Sequence, residues 1–402
     1  MRLLLADPID VEPLEELRIL GVKVESRPDL TKETLAAALP GVGILVVRGM
    51  EVTREAMQAS PELNLIVRAG SGTGAVDVAA ASERGIYVAN CPGQSAASVA
   101  ELVMGMVIAL DRRLVESTNA LKHGTFDKAS FAREEGLLGR RIGIAGLGAV
   151  GREVLSRARA FGMRPHAFSR SLTLGRGARL EVGYAATLER LAAVSDVFTV
   201  HLPLVPQTKG IVSRAVLASL PDGAIFVNTS RADLVDMDAL AELTDKKGLR
   251  VGLDVFPGEP REKSDGFNSP ILAAKHGVFS PHIGASTRQA QRAVAEDVAR
   301  IVRSFLTEED VPNVINVCAT SPARFVIVLR QHDKIGALAN ALAVFKRHGI
   351  NIEEISNTVF DGARATCTKL RVSGRPSEAC LKEIRAFDEV LHVDVIPMPN
   401  RA

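Results

Sequence analysis

The sequence predicts an α/β protein with two doubly wound parallel sheets, followed by a small α+β domain of βαββαβ order. Three observations lead to this prediction. Short apolar runs alternate with helical patterns from the N-terminus to His282. A glycine-rich turn after Ile142 to Ala145 lies between a strand and a helix. From Arg324 the order changes to strand, helix, two strands joined by Asp361-Gly362, helix and strand.

The first sheet is predicted from apolar strands separated by helical segments. The expected strands are Leu3 to Ala6, Ile44 to Val47, Leu65 to Ala69 and Ile86 to Val88, and the expected helices are Glu12 to Leu20, Lys32 to Ala38 and Val76 to Glu83. This rhythm is typical of a parallel sheet with helices on both faces.

A second cycle begins with a long helix from Ser98 to Arg113. Six strands follow, at Arg141 to Ala145, Pro165 to Phe168, Val197 to His201, Ala224 to Asn228, Arg250 to Asp254 and Val278 to Ser280. Six strands of this kind form a complete Rossmann-like or flavodoxin-like sheet. We expect the next helix, Arg288 to Phe305, to pack back on the first sheet.

Composition excludes several classes of function. Of the 402 residues 47% are apolar, and the formal charge of +2 is scattered along the chain, so we expect no nucleic-acid partner. The longest apolar run, Leu102 to Leu110, is too short to cross a bilayer, and Leu3 to Ala6 is too short for a signal peptide core. The four cysteines lack C-x-x-C spacing. These features favour a cytoplasmic protein without a membrane partner.

The glycine-rich turn predicts a dinucleotide site. Gly146, Gly148 and Gly151 have G-x-G-x-x-G spacing, and Ala149 and Val150 begin the helix that follows. The first glycine permits a tight turn, the second lets the backbone approach a pyrophosphate, and the third allows close helix packing. The phosphates would then lie on the helix N-terminus, where free N–H groups favour anions.

Ser169 and Arg170 follow the next strand, where an acidic residue would hold the ribose hydroxyls of NAD. A serine hydroxyl and a guanidinium instead suit a 2'-phosphate. The pair slightly favours NADP over NAD. The alternative is that Arg170 is only a solvated loop residue.

Three residues at the ends of later strands suggest hydride transfer to or from a 2-hydroxy acid. His282 is suited to exchange a proton with the hydroxyl, Glu259 to orient the imidazole, and Arg231 to hold a carboxylate. The alternatives are that His282 is a structural residue and that Glu259 and Arg231 form a solvated ion pair. No two histidines have metal-ligand spacing, so we predict no metal.

Together these motifs resemble the D-isomer-specific 2-hydroxyacid dehydrogenases. The resemblance places the catalytic Arg, Glu and His of that family on Arg231, Glu259 and His282. It also implies a cofactor site that includes, besides the glycine-rich turn, His201, Pro203, Thr208, Thr229, Ser230, Asp254 and Gly284. Asp254 is expected near the nicotinamide amide.

Within the family the chain is most similar to the phosphoglycerate dehydrogenases, which oxidise D-3-phosphoglycerate in the first step of L-serine biosynthesis. Arg48 and the Arg68-Ala69-Gly70 segment match the substrate-binding segments of that group. Gly74-Ala75 depart from its usual Asp-Asn. Two alternatives stay open: an NADPH-dependent reductase of hydroxypyruvate or glyoxylate, and a dinucleotide-sensing protein of the corepressor kind without catalysis.

The C-terminal unit resembles an ACT domain, a module that binds amino acids in several of these enzymes. The resemblance implies an effector such as serine at Asp333 and Asn351, with Gln331 where serine-sensing relatives carry histidine. The alternative is a dimerisation module without an effector. We expect a substrate-binding domain of residues 1–97 and 287–315, a dinucleotide domain of residues 98–286, an ACT-like regulatory domain of residues 322–402, and a homodimer or homotetramer.

Overall fold

The computed structural model describes residues 1–72, 74–260, 264–307, 310–318 and 320–398. The chain divides into two compact units, residues 1–316 and residues 317–402. Within the described ranges, the first unit holds two parallel sheets and the second a small antiparallel sheet with two helices. The predicted fold class is therefore confirmed. Among the described residues, no helix is long and apolar enough to cross a membrane.

Five parallel strands form the first sheet, in the order β2-β1-β3-β4-β5. They are β1 Arg2–Leu5, β2 Lys23–Ser26, β3 Ile44–Val47, β4 Leu65–Arg68 and β5 Tyr87–Asn90. A 3-10 helix at Glu12–Leu20 and the helices α1 Lys32–Ala38, α2 Arg54–Gln58 and α3 Val78–Glu83 connect them. The sequence does not predict β2, because this polar edge strand lacks an apolar run, and it does not predict the short α2.

The second sheet has seven parallel strands in the order β12-β11-β10-β9-β6-β7-β8. They are β6 Arg141–Ala145, β7 Arg164–Phe168, β8 Gly183–Tyr184, β9 Val197–Val200, β10 Ile225–Asn228, β11 Arg250–Leu253 and β12 Gly277–Phe279. Six strands were predicted, and the seventh is the two-residue edge strand β8. Because β6 pairs with both β7 and β9, the chain reverses its direction of winding at β6 and opens a crevice at the carboxyl ends of β6 and β9.

Helices cover the second sheet and connect it to the first. They are α4 Ala96–Asp111, α5 Leu114–Lys122, α6 Lys128–Phe131, α7 Ala149–Ala160, α8 Leu174–Arg179, α9 Leu188–Ala193, α10 Arg214–Ala218, α11 Met237–Lys247 and α12 Arg288–Thr307, with 3-10 helices at Ala232–Leu234 and Pro270–Ala273. Helix α12 returns to the first sheet, where Val298 and Ile301 share a buried core with Leu5 and Val46. The two sheets are thus parts of one unit whose last helix packs on its first sheet.

The second unit contains β13 Phe325–His332, α13 Ala337–Arg347, β14 Ile352–Val359, β15 Ala365–Val372, α14 Glu378–Arg385 and β16 Val390–Pro397. The strand order is β14-β15-β13-β16, and β15 is antiparallel to both of its neighbours. Ile327, Leu329 and Leu370 are buried with Phe345 of α13. The predicted βαββαβ order and the turn at Asp361-Gly362 are both present.

Candidate active site

The glycine-rich turn connects β6 to α7 at the crevice. Gly146 has φ +104°, and a Cβ there would lie 2.4 Å from the carbonyl oxygen of His201. A Cβ on Gly151 would lie 2.0 Å from the carbonyl oxygen of Gly146, whereas one on Gly148 would meet nothing within 4 Å. Two of the glycines are therefore required by the packing of the turn, and the third leaves open space beside the N-terminus of α7.

A cavity of about 1220 Å³ lies at this crevice and is lined by residues from both parallel sheets. Nine of the predicted cofactor residues line it, namely Gly148, Ala149, Val150, His201, Pro203, Thr229, Ser230, Asp254 and Gly284. All four predicted substrate residues, Arg48, Arg68, Ala69 and Gly70, line it as well. The fold thus gathers residues that are far apart in sequence around one space large enough for a dinucleotide and a small acid.

Other predicted cofactor residues lie outside the lining. Gly146 and Gly151 shape the turn beneath it. The hydroxyl of Thr208 donates to the carbonyl of Pro203 at 2.6 Å, so it fixes the loop that carries Pro203. Ser169 and Arg170 follow β7, at the neighbouring strand end, and Arg170 is exposed.

Two buried side chains at the cavity lack hydrogen-bond partners among the described residues. They are His201, at both ring nitrogens, and Thr229, at its hydroxyl. Burial lowers the pKa of His201 to about 3, so the ring is neutral at ordinary pH. Buried polar atoms are almost always paired in folded proteins, and a ligand rich in hydrogen-bonding groups would pair these. Together with the open space at Gly148, they fit a nicotinamide dinucleotide.

The three predicted catalytic residues meet at the cavity. His282 and Arg231 line it, and Nδ1 of His282 is hydrogen-bonded to Oε1 of Glu259. The second oxygen of Glu259 accepts the backbone N–H of Phe256 at 3.1 Å. The carboxylate is therefore held from one side by the backbone and orients the imidazole with the other. Nε2 of His282, which has no hydrogen-bond partner among the described residues, can then act on a substrate.

Asp254 clamps the loop that carries His282. This buried carboxylate accepts hydrogen bonds from the hydroxyl of Ser280 at 2.5 Å and from the backbone N–H of Ile283 and Gly284, each at 2.8 Å. His282 itself has φ +52°, in the left-handed region that costs energy for a side chain of this size. The resemblance predicted a contact with the nicotinamide amide for Asp254, and the loop-holding role was not predicted.

Three guanidinium groups surround the same cavity without an ion-pair partner in the described part of the chain. Arg48 donates to the hydroxyl of Ser286 at 3.3 Å, and Arg231 donates to the carbonyl of Ser230 at 2.6 Å. Burial, and then the positive charges of Arg231 and Arg48, lower the pKa of Arg68. Like charges held this close favour a ligand that carries several negative charges.

The structure does not bring Asp333 and Asn351 together within one copy of the chain. Asp333 follows the end of β13 that pairs with Ala365, whereas Asn351 precedes the end of β14 that pairs with Val372. Ala365 and Val372 are the two ends of β15. The two residues therefore lie at opposite ends of the sheet, about 23 Å apart along the strands.

Residues 104–284 match the model of the D-isomer specific 2-hydroxyacid dehydrogenase, NAD binding domain. The D-3-phosphoglycerate dehydrogenase of Methanocaldococcus jannaschii is 36% identical over 319 residues, which are 79% of this chain and 60% of that protein. The hydroxypyruvate reductase of Thermotoga maritima is 39% identical over 290 residues, 72% of this chain and 92% of that protein. The chain spans less than two thirds of the length of the phosphoglycerate dehydrogenase.

A solved structure shows the same similarity. The TT0316 protein from Thermus thermophilus superposes with a TM-score of 0.70 at 31% identity, covering 78% of this chain and 100% of that one. This structure covers about the same share of the chain as the two relatives, 78% against 79% and 72%.

Proposed function

This chain belongs to the D-isomer-specific 2-hydroxyacid dehydrogenase family, and on that premise we propose that it transfers a hydride between D-3-phosphoglycerate and a nicotinamide cofactor. The resemblance predicted from the motifs is confirmed by the family model and by the relatives. We assign substrate binding to the lobe built on the first sheet and cofactor binding to the lobe built on the second. The reaction would be the first step of L-serine biosynthesis.

One observation carries the substrate assignment: three guanidinium groups, none with a carboxylate partner among the described residues, face one cavity together with an imidazole. D-3-phosphoglycerate brings a carboxylate and a phosphate, and Arg48, Arg68 and Arg231 supply three positive charges to meet them. A guanidinium pairs bidentately with either group. An unphosphorylated acid would pair with fewer of these guanidinium groups and leave the others to repel one another.

The residues at the cavity divide the proton chemistry between them. Nε2 of His282 takes the hydroxyl proton as the substrate is oxidised, and Glu259 accepts from Nδ1 and stabilises the positive charge that develops on the ring. Arg231 holds the carboxylate and polarises the carbonyl that forms. A bound nicotinamide cofactor would supply the hydride acceptor in this direction and the hydride donor in the reverse one.

We propose NADP as the preferred cofactor, with NAD as the alternative. Arg170 is exposed beside Ser169 at the end of β7, and the guanidinium of Arg176 donates to the carbonyl of Ser171 at 3.2 Å. None of these residues is acidic, and neither arginine has an ion-pair partner in the described ranges. Two guanidinium groups at this loop suit a 2'-phosphate, which a carboxylate would repel.

The second candidate function is a reductase of hydroxypyruvate or glyoxylate. The similarity to the Thermotoga maritima hydroxypyruvate reductase, which this chain covers over 92% of its length, favours it. Specificity constants for D-3-phosphoglycerate, hydroxypyruvate and glyoxylate with both cofactors decide between the two. Our proposal expects the largest kcat/KM with the phosphorylated substrate, and a larger value with an unphosphorylated one would replace it.

We propose that the C-terminal unit binds an amino-acid effector such as serine, with Asp333 and Asn351 as contacts. Because these residues lie at opposite ends of one sheet, a single small effector that touches both must bind between two copies of the chain. Initial rates with and without serine test this proposal, and a rate that serine leaves unchanged would favour a dimerisation module instead.

Assembly as a homodimer or homotetramer is consistent with the surface of the first unit. Helix α5 has no buried residue, and large apolar side chains are exposed on it and near it. They include Leu121, Phe126 and Leu138, which are 57%, 83% and 86% exposed.

The four cysteines are free thiols, in keeping with the reducing cytoplasm expected for the protein.

A further inference from the structure

We propose that Asp7 is a positioning residue that aims Arg48 at the anionic part of the substrate, an inference that rests on the proposed function. Asp7 lies just beyond β1, and Arg48 lies just beyond the neighbouring strand β3. Neither strand end carries a catalytic group. Backbone hydrogen bonds connect the two residues, and the sequence motifs do not show them.

One carboxylate oxygen of Asp7 binds three successive backbone N–H groups. Oδ2 accepts from Arg48 at 2.6 Å, from Gly49 at 3.0 Å and from Met50 at 2.9 Å. Three successive N–H groups that converge on one point form a concave anion-binding nest, and here the protein's own carboxylate fills it. The segment that leaves β3 is therefore fixed from its first residue.

The side chain of Arg48 has little else to hold it. Its guanidinium lines the cavity and, within the part of the chain that the structure describes, makes one side-chain hydrogen bond, to the hydroxyl of Ser286, at a long 3.3 Å. An arginine side chain has three flexible methylene groups, so with one weak contact its direction follows any movement of its backbone. The direction in which Arg48 enters the cavity thus depends on the three hydrogen bonds to Asp7.

The negative charge of Asp7 and its positioning role predict opposite effects on anion binding when Asp7 is removed. The carboxylate is one of the charges that act on Arg68, so it lies within the field of the guanidinium cluster. Deleting a negative charge there should tighten the binding of an anion if charge were all that mattered. The positioning role predicts weaker binding, and the sign of the change therefore separates the two accounts.

The test measures anion binding by the full chain and does not depend on turnover. Calorimetric titration with inorganic phosphate, at fixed ionic strength, is carried out on the parent and on Asp7→Ala, Asp7→Asn, Arg48→Ala and the Asp7→Ala/Arg48→Ala double variant. Asp236→Ala is the matched control, because Asp236 also accepts a backbone N–H, that of Ala239, but Ala239 does not line the cavity as Arg48 does.

We expect Asp7→Ala to weaken phosphate binding about tenfold, Asp7→Asn to lie between Asp7→Ala and the parent because its amide oxygen still accepts, and the double variant to match Arg48→Ala. Asp236→Ala should bind phosphate as the parent does. Unchanged or tighter binding by Asp7→Ala, independent losses in the double variant, or no binding by the parent would overturn the proposal.

Kinetics with D-3-phosphoglycerate add a second readout. Asp7→Ala should raise KM about tenfold while kcat and the KM of the cofactor stay within about twofold of the parent, because only the substrate anchor is disturbed. A general loss of kcat in Asp7→Ala would show a merely structural role. A parent protein that binds phosphate but does not turn over D-3-phosphoglycerate would refute the proposed function, and the phosphate affinities would still decide the role of Asp7.

Discussion

Glu259 connects Phe256 to His282: one carboxylate oxygen accepts a hydrogen bond from the backbone N–H of Phe256, and the other accepts one from Nδ1 of His282. The imidazole is thereby held in the tautomer whose Nε2 carries a lone pair. Since Glu259 does not line the cavity, it reaches the substrate only through His282. The pair forms an acid and base unit whose two members have separate tasks.

Replacing Glu259 should therefore lower kcat more than it affects binding. We expect Glu259→Ala to reduce kcat about a hundredfold and Glu259→Gln to reduce it less, because the amide oxygen can still accept from Nδ1. The KM of the substrate should change little. Steady-state kinetics measure both, and a Glu259→Ala enzyme with the parent kcat would show that His282 needs no partner.

Gly148 and Gly151 allow a matched comparison of turn packing and cofactor access. A Cβ at Gly151 would overlap the carbonyl oxygen of Gly146, so Gly151→Ala should lower the free energy of unfolding by about 2–4 kcal/mol. Gly148 has open space and an ordinary φ of −77°, so Gly148→Ala should keep the parent stability and weaken cofactor binding at least tenfold. Denaturant unfolding and cofactor titration measure the two effects. Equal behaviour of the two variants would contradict the assignment of the turn.

Arg170 should decide between the cofactors. Arg170→Asp removes a cation and adds a carboxylate, so we expect kcat/KM with NADP to fall about a hundredfold while the value with NAD is retained or rises. Arg179→Asp, an equal charge change on the exposed end of α8, is the control. An unchanged ratio of the two specificity constants would leave Arg170 as a solvated surface residue.

His201 should make stability depend on pH. Its pKa is about 3 in the folded protein and about 6.5 when unfolded, so between these values the unfolded chain binds one more proton than the folded one. Stability then falls as the pH drops below about 6.5, by about 1.4 kcal/mol per pH unit from this group. Unfolding without added cofactor at pH 5 and pH 7 should show a smaller pH effect in His201→Gln than in the parent. Equal slopes would mean that His201 is protonated in the folded state.

The sequence predicts the elements that a local residue pattern marks. Apolar strands and the G-x-G-x-x-G turn are local patterns, so both sheets and the dinucleotide crevice are predicted from them. The edge strands β2 and β8 are polar or only two residues long and carry no such pattern. Pairing with a neighbour, rather than local composition, makes them strands.

The site was predicted where strand ends carry chemically active side chains, as at Arg231, Glu259 and His282. The sequence did not predict a role for Asp7, and it predicted Asp254 only as a cofactor residue. Each accepts backbone N–H groups of a distant loop, and no residue type in that loop signals the contact. The proposed effector pair shows the converse. Asp333 and Asn351 match motifs of a related module, yet only the strand register shows that they lie at opposite ends of the sheet.

The most direct test of the central claim is the kcat of a His282→Gln enzyme with D-3-phosphoglycerate, measured together with its cofactor affinity. If Nε2 of His282 takes the hydroxyl proton, kcat should fall at least about a thousandfold while the cofactor still binds as it does to the parent. A variant that keeps most of the parent kcat would contradict the account.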